Sequence, residues 1–142
     1  MVSTVGVVAL AVGLALAVGL GLVRRHRYGR LRAPLRPEPN GLTAADLSAA
    51  ALGDRATLVH FSSAFCRPCV AVRHVLHDVA ERVPGVTAVE VDAESHLDLV
   101  RRLNISSTPT TLLLDRTGIE RKRATGVPKR HDVLAALDAV VE

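Results

Sequence analysis

Two residues in this chain can carry out redox chemistry unaided: Cys66 and Cys69, the only cysteines in 142 residues. Arg67 and Pro68 stand between them and Phe65 stands in front. A thiol attacks as its thiolate, so the pair works where the first sulfur is favoured as an anion. A helix N-terminus provides that, through unpaired backbone N–H groups and the positive end of the helix dipole. Arg67 adds a cation next door. Pro68 suits a first helical turn, where its missing N–H costs nothing. Cys69 falls on nearly the same helical face as Cys66 and can attack a mixed disulfide formed there. The predicted chemistry is thiol–disulfide exchange.

Two plainer uses of the pair stand beside it. One is a zinc site completed by His74 and His77. On a single helix over 66–83 these would lie about 12 and 16 Å along the axis from Cys66. Zinc needs its ligands about 2.0–2.3 Å from one point, so the spacing argues against it. The other is a structural disulfide or a pair of inert thiols. That use does not call for a strand before the pair and a helix after it.

Both elements are legible. Residues 57–63 are rich in β-formers and apolar on both faces, which predicts a buried central strand. His60 lies inside it. A buried His is either hydrogen-bonded and structural or, with an ordinary pKa near neutrality, a proton partner for Cys69. After the pair, Val72, Val75, Leu76, Val79 and Val83 recur at helical spacing. Pro84-Gly85 ends that helix. His74, His77, Asp78 and Arg82 are expected on its exposed or flanking faces.

The remaining elements follow in order. Residues 43–52 read as a short helix capped by Thr43, 86–91 as a strand, and 95–103 as a helix capped by Ser95. Pro109 cannot sit mid-ladder and marks a loop before a strand. Residues 115–118 read as the turn of a hairpin whose second strand is 119–125. Gly126 and Pro128 precede a last helix over 129–141, with Val133, Leu134, Leu137, Val140 and Val141 on its buried face.

The N-terminal part differs in kind. Residues 2–23 carry no charge. At about 1.5 Å per residue they reach about 33 Å, enough for a bilayer core of about 30 Å. The basic cluster 24–27 follows the apolar run rather than preceding it, which favours a retained single-pass anchor over a cleaved signal peptide. The expected division is 1–23 as transmembrane anchor, 24–41 as a basic, Pro-rich linker and 42–142 as the folded domain. The cluster also predicts a cytoplasmic domain, with an extracytoplasmic one as the alternative. The basic stretch 24–36 could also rest on anionic lipid headgroups. Ala9, Gly13, Ala17 and Gly21 repeat every four residues, a pattern that permits a weak homodimer through the helix.

Charge is equally uneven. Residues 1–39 hold six Arg and one Glu, while residues 40–142 hold twelve Lys and Arg against thirteen Asp and Glu. The basic pI belongs to the tail, so a nucleic-acid partner for the folded domain has little support.

The order of strand, Cys-x-Pro-Cys helix, strand, helix, Thr-Pro strand, hairpin, Gly and helix resembles the thioredoxin superfamily, in particular its membrane-anchored disulfide reductases. Phe65-Cys66-Arg67-Pro68-Cys69, Ser107-Thr108-Pro109-Thr110 and Gly126 carry the resemblance over residues 40–142. It implies an α/β fold with a mixed central sheet flanked by helices, preceded here by one transmembrane helix. It implies Cys66 as nucleophile, Cys69 as resolving thiol, and a cis Pro109 beside the sulfurs. It implies that the Thr108 backbone bonds an extended protein-disulfide substrate, that a separate donor resupplies electrons, and that no cofactor beyond the Cys66–Cys69 pair is used. Three positions depart from the family's pattern. Phe65 replaces a usual Trp, Arg67-Pro68 a usual Gly-Pro, and His60 a usual buried acid. A non-catalytic adaptor or metal-handling module is the competing function. A peroxidase-like role lacks any further signature.

Overall fold

A computed structural model describes residues 4–34 and 41–141. An isolated apolar helix, α1 (Thr4–Arg27), precedes a four-stranded α/β domain. The domain runs β1 (Ala56–Ser62), α2 (Arg67–Arg82), β2 (Val86–Asp92), α3 (Leu97–Arg102), β3 (Thr110–Asp115), β4 (Glu120–Thr125) and α4 (Arg130–Val141). The sheet order is β2-β1-β3-β4. β1 and β2 are parallel, joined through α2, while β3 runs antiparallel to both β1 and β4. The mixed sheet is the one expected.

Strand β1 is central and buried at every position. Its alternation divides the core in two. Val59 and Phe61 pack with Leu112 and Leu114 against Leu42, Leu47, Leu99, Leu103 and Ile105. Ala56, Leu58 and Leu113 face the opposite layer, Val72, Leu76 and Val79 of α2 with Val133, Ala136 and Leu137 of α4. A domain with so few aromatic residues thus builds both layers from branched aliphatic side chains.

Residues 43–52 are not a helix. They start as one: Thr43 Oγ1 accepts from Asp46 N at 3.2 Å, and Asp46 Oδ2 accepts from Thr43 N at 2.9 Å. Only turns over 44–48 follow. Ser48 takes a left-handed φ of 50°, which ends any helix. Tertiary contacts override the local signal. Leu42 and Leu47 are buried in the core, and Ser48 Oγ lies 3.0 Å from His96 Nε2. His96 Nδ1 lies 3.0 Å from the Asp92 carbonyl, which can only accept, so Nδ1 is the donor there.

Ser95 is likewise not the cap of α3. His96 holds the N-cap position, and the Ser95 hydroxyl donates instead to Asp92. At the hairpin, Gly118 adopts φ 80°, and a Cβ there would lie 1.9 Å from the Leu42 carbonyl oxygen, so the turn and the 41–43 segment fit together only through glycine.

Helix α1 continues through the basic residues 24–27. By length and a mean hydropathy of 2.5 it could cross a membrane, and none of it is buried. It is a candidate span. Gly29 and Arg32 beyond it bond to β4. Residues 35–40, including Pro37 and Pro39 of the expected linker, lie outside the described residues.

Candidate active site

The site lies where β1 ends. Ser63–Phe65 form the loop, Cys66 is the N-cap of α2, and Pro68 sits in the first turn. No side chain caps this helix start. No side-chain oxygen therefore competes with a sulfur anion at this helix end, although Pro68 has no N–H and Cys69 N donates to the Cys66 carbonyl at 3.1 Å. Cys66 and Cys69 are joined as a disulfide with their Cα atoms 5.4 Å apart. Cys66 is partly accessible, while Cys69 is 2% exposed. An incoming disulfide therefore meets Cys66 first. Phe65 is 94% exposed, and Arg67 and Pro68 are also at the surface.

Hydrogen bonds tie this loop to the second predicted stretch. Cys66 N donates to the Ser63 carbonyl at 3.1 Å, and Ser63 Oγ lies 3.1 Å from Thr108 Oγ1. The Thr108–Pro109 peptide bond is cis. The Pro109 carbonyl accepts from Gly126 N at 2.8 Å, and Thr110 Oγ1 donates to the Ser107 carbonyl at 2.7 Å. The dithiol loop, the Thr108-Pro109 loop and Gly126 are thus one connected unit.

His60 lies on β1 opposite Glu90 of β2 and Thr111 of β3. Strand alternation puts it on the Leu58 side, facing the helical layer that includes α2. It is buried, and neither ring nitrogen has a hydrogen-bond partner. Burial pushes its pKa down to about 4, so it is neutral at pH 7. Thr111 Oγ1 is buried and unpartnered as well.

Arg73 and Glu90 also line the site, though no sequence motif marks them. Arg73 donates to both Glu90 oxygens, from Nε at 2.6 Å and Nη2 at 2.8 Å. These bonds hold the Glu90 carboxyl down at about 2. With Cys66, Cys69, Asp92 and Glu94 the pair lines a cavity of about 330 Å³ beside the disulfide. A helical signal existed, since Arg73 follows Cys69 by four residues and shares its face. Its partner on β2 had none. His74 and His77 lie on α2 outside the site.

A bonded cysteine pair at a helix N-terminus, one residue partly accessible and the other buried, in a loop hydrogen-bonded to a cis-proline loop, fits a thiol–disulfide exchange protein. The comparisons agree. The sequence model of the thioredoxin family matches residues 42–139, and the chain belongs to that family. It is 33% identical to thioredoxin of Mycoplasma genitalium over 73 residues, 51% of this chain and 71% of the relative. It is 32% identical to thioredoxin of Mycobacterium bovis over 89 residues, 62% and 76% of the two chains. Against thioredoxin H2 of Arabidopsis thaliana, at 31% identity, the match spans only 53% of the relative. Among solved structures, chloroplastic thioredoxin z superposes with a TM-score of 0.55 at 23% identity, covering 61% of this chain and 79% of its own. A mutant thioredoxin of Halobacterium salinarum superposes at 0.57 with 17% identity, covering 63% and 77%. These likenesses share the fold. The family and the Cys66–Cys69 pair together make the chain a thiol–disulfide oxidoreductase.

Proposed function

We propose that the protein is a membrane-tethered disulfide reductase acting on protein disulfides. The accessible Cys66 at the start of α2, bonded to buried Cys69, carries this reading. In the reduced form the Cys66 thiolate attacks one sulfur of the substrate disulfide. A mixed disulfide forms and the other substrate sulfur leaves as a thiolate. Cys69 gives up its proton and attacks Cys66, releasing the second substrate thiolate. Two electrons pass to the substrate, and Cys66–Cys69 is left oxidised. A dithiol donor then restores the pair by the reverse exchange. Thr108, tied to the dithiol loop through Ser63, and Pro109 would receive the substrate backbone, with Phe65, Arg67 and Pro68 as the exposed rim. His60, buried, neutral and unpartnered, is the candidate to take the Cys69 proton.

Tethering is supported by α1, whose length and composition suit a bilayer. The last turn of α1 holds Arg24, Arg25, His26 and Arg27. Positive charge is retained on the cytoplasmic side, which supports a cytoplasmic domain. Gly13 and Gly21 leave open faces on α1, which would allow a second copy to pack there. A C-terminal reporter that works only outside the cytoplasm should stay silent, and its activity would reverse the orientation.

The full chain in phospholipid nanodiscs should reduce a protein disulfide with dithiothreitol as donor. Cys66→Ser should abolish turnover, and Cys69→Ser should accumulate the mixed disulfide on a non-reducing gel. Unchanged turnover in Cys66→Ser would refute the reductase. Substrate binding without turnover in the wild type would leave the adaptor.

A further inference from the structure

Beyond α1, four large apolar side chains are exposed among the described residues: Tyr28, Phe65, Val70 and Leu97. Phe65 and Val70 flank the cysteine pair directly. Tyr28 is far from Cys66 in sequence, yet the fold brings it to the same unit. Its N–H donates to the Arg24 carbonyl at 3.0 Å, so the last turn of α1 runs straight into it. The next residues are fixed along the outer side of β4. Gly29 N donates to Thr125 O at 2.6 Å, and Arg32 and Arg123 exchange backbone bonds at 2.7 and 2.6 Å. Gly29 has φ 81°, and a Cβ there would lie 2.2 Å from the Val127 carbonyl oxygen.

This pinning lays the Tyr28 ring on Gly126. A Cβ at Gly126 would fall 2.2 to 2.5 Å from Cε1, Cδ1 and Cζ, so the ring fills the space that any side chain there would need. Gly126 is the residue whose N–H binds the Pro109 carbonyl. One side of the ring is therefore seated beside the cis-proline loop, and the residue is still 56% exposed. Exposed apolar side chains thus stand at the cysteine pair, Phe65 and Val70, and at Gly126, which bonds the cis-proline loop, where Tyr28 is supplied by the end of the apolar helix.

We propose that Tyr28 is a substrate-contacting residue: its ring forms the Pro109-side wall of the groove that receives the target disulfide and selects segments with an apolar residue next to the target cysteine. This rests on the exchange activity proposed above. An extended segment lying across Cys66 and Pro109 would bury an apolar flanking side chain against the open part of the ring. The substrate class is a protein segment, extended and apolar around its cysteine, that can reach the exit of α1.

The test uses the full chain in nanodiscs and three disulfides: an extended peptide with Leu beside the cysteine, the same peptide with Ser there, and 2-hydroxyethyl disulfide. Tyr28→Ala should lower kcat/KM on the Leu peptide about tenfold, through KM, and change the other two less than about twofold. Tyr28→Phe should behave as wild type on all three. A retained rate on the small disulfide also shows that Tyr28→Ala is folded. Equal slowing on all three would make Tyr28 a packing residue and overturn the proposal, as would no change on the Leu peptide. If the wild type reduces none of them, the exchange reading fails and takes this proposal with it.

Discussion

The β3–β4 turn and the centre of β1 both bury polar side chains, and they treat them in opposite ways. At the turn the buried carboxylates are matched. Asp115 Oδ1 accepts from Thr117 N at 2.9 Å, Thr117 Oγ1 at 2.6 Å and Ile119 N at 3.1 Å, while Oδ2 accepts from Arg121 at 2.6 Å. Glu120, 3% exposed, takes two bonds from Arg123, at 2.6 and 2.8 Å. In the middle of the sheet, His60 of β1 and Thr111 of β3 sit opposite each other with no partner for His60's ring nitrogens or Thr111 Oγ1. A buried polar group without a partner keeps its desolvation cost. The turn is built to hold the hairpin. The middle of the sheet keeps unmatched polar atoms on the strand that leads into the redox loop.

The contrast can be broken from either end. On the turn side, Glu120→Ala leaves Arg123 without its carboxylate. It should cost about 3 kcal/mol in urea unfolding, since one half of a largely buried ion pair is removed. Disulfide reduction by the folded fraction should be unchanged.

On the sheet side, His60 sets a pH dependence. Its pKa falls from 6.5 unfolded to about 4 folded. Between those values the unfolded chain binds the extra proton, so stability drops as pH falls from 6.5 towards 4. Relative to His60→Leu, the wild type should lose about 2 kcal/mol between about pH 7 and pH 5. Parallel pH curves for the two proteins would show that His60 is not held neutral. Glu90 and Asp46, both held down to about 2, act in a separate window, losing their contribution only as pH drops below the ordinary carboxylate range.

The smallest effect is the sharpest comparison. Thr110 Oγ1 has the Ser107 carbonyl, whereas Thr111 Oγ1 has nothing. Thr110→Val should cost about 1 kcal/mol and Thr111→Val close to none, read from the denaturation midpoints. Equal costs would mean that Thr111 is bonded after all.

Much of this was legible because it is written in short-range pattern. The doubly apolar run 57–63 gave the central strand, and the valine and leucine stripe from Val72 to Val83 gave the redox helix. The cysteine spacing marked the pair that is joined as a disulfide, and Thr108-Pro109 the bond that is cis. What escaped depends on contacts between distant segments. The 43–52 segment begins with a genuine capping pattern, yet Ser48 is pulled to His96 and the helix never forms. Ser95 looks like a cap until Asp92 takes its hydroxyl. The Arg73–Glu90 pair joins a helix to a neighbouring strand, and no spacing rule links them. The seat of Tyr28 on Gly126 follows from backbone pairing between residues 29–32 and β4. A basic stretch with Gly and Pro and no alternation gives no sign of such pairing.

The reduction potential of Cys66–Cys69 in the full chain, held in nanodiscs and equilibrated with dithiothreitol or glutathione, tests the central claim most directly. A reductase should give a value near that of a reducing thioredoxin, about −270 mV. A value near about −120 mV would mark an oxidant, and failure to cycle reversibly would leave no exchange chemistry at this site.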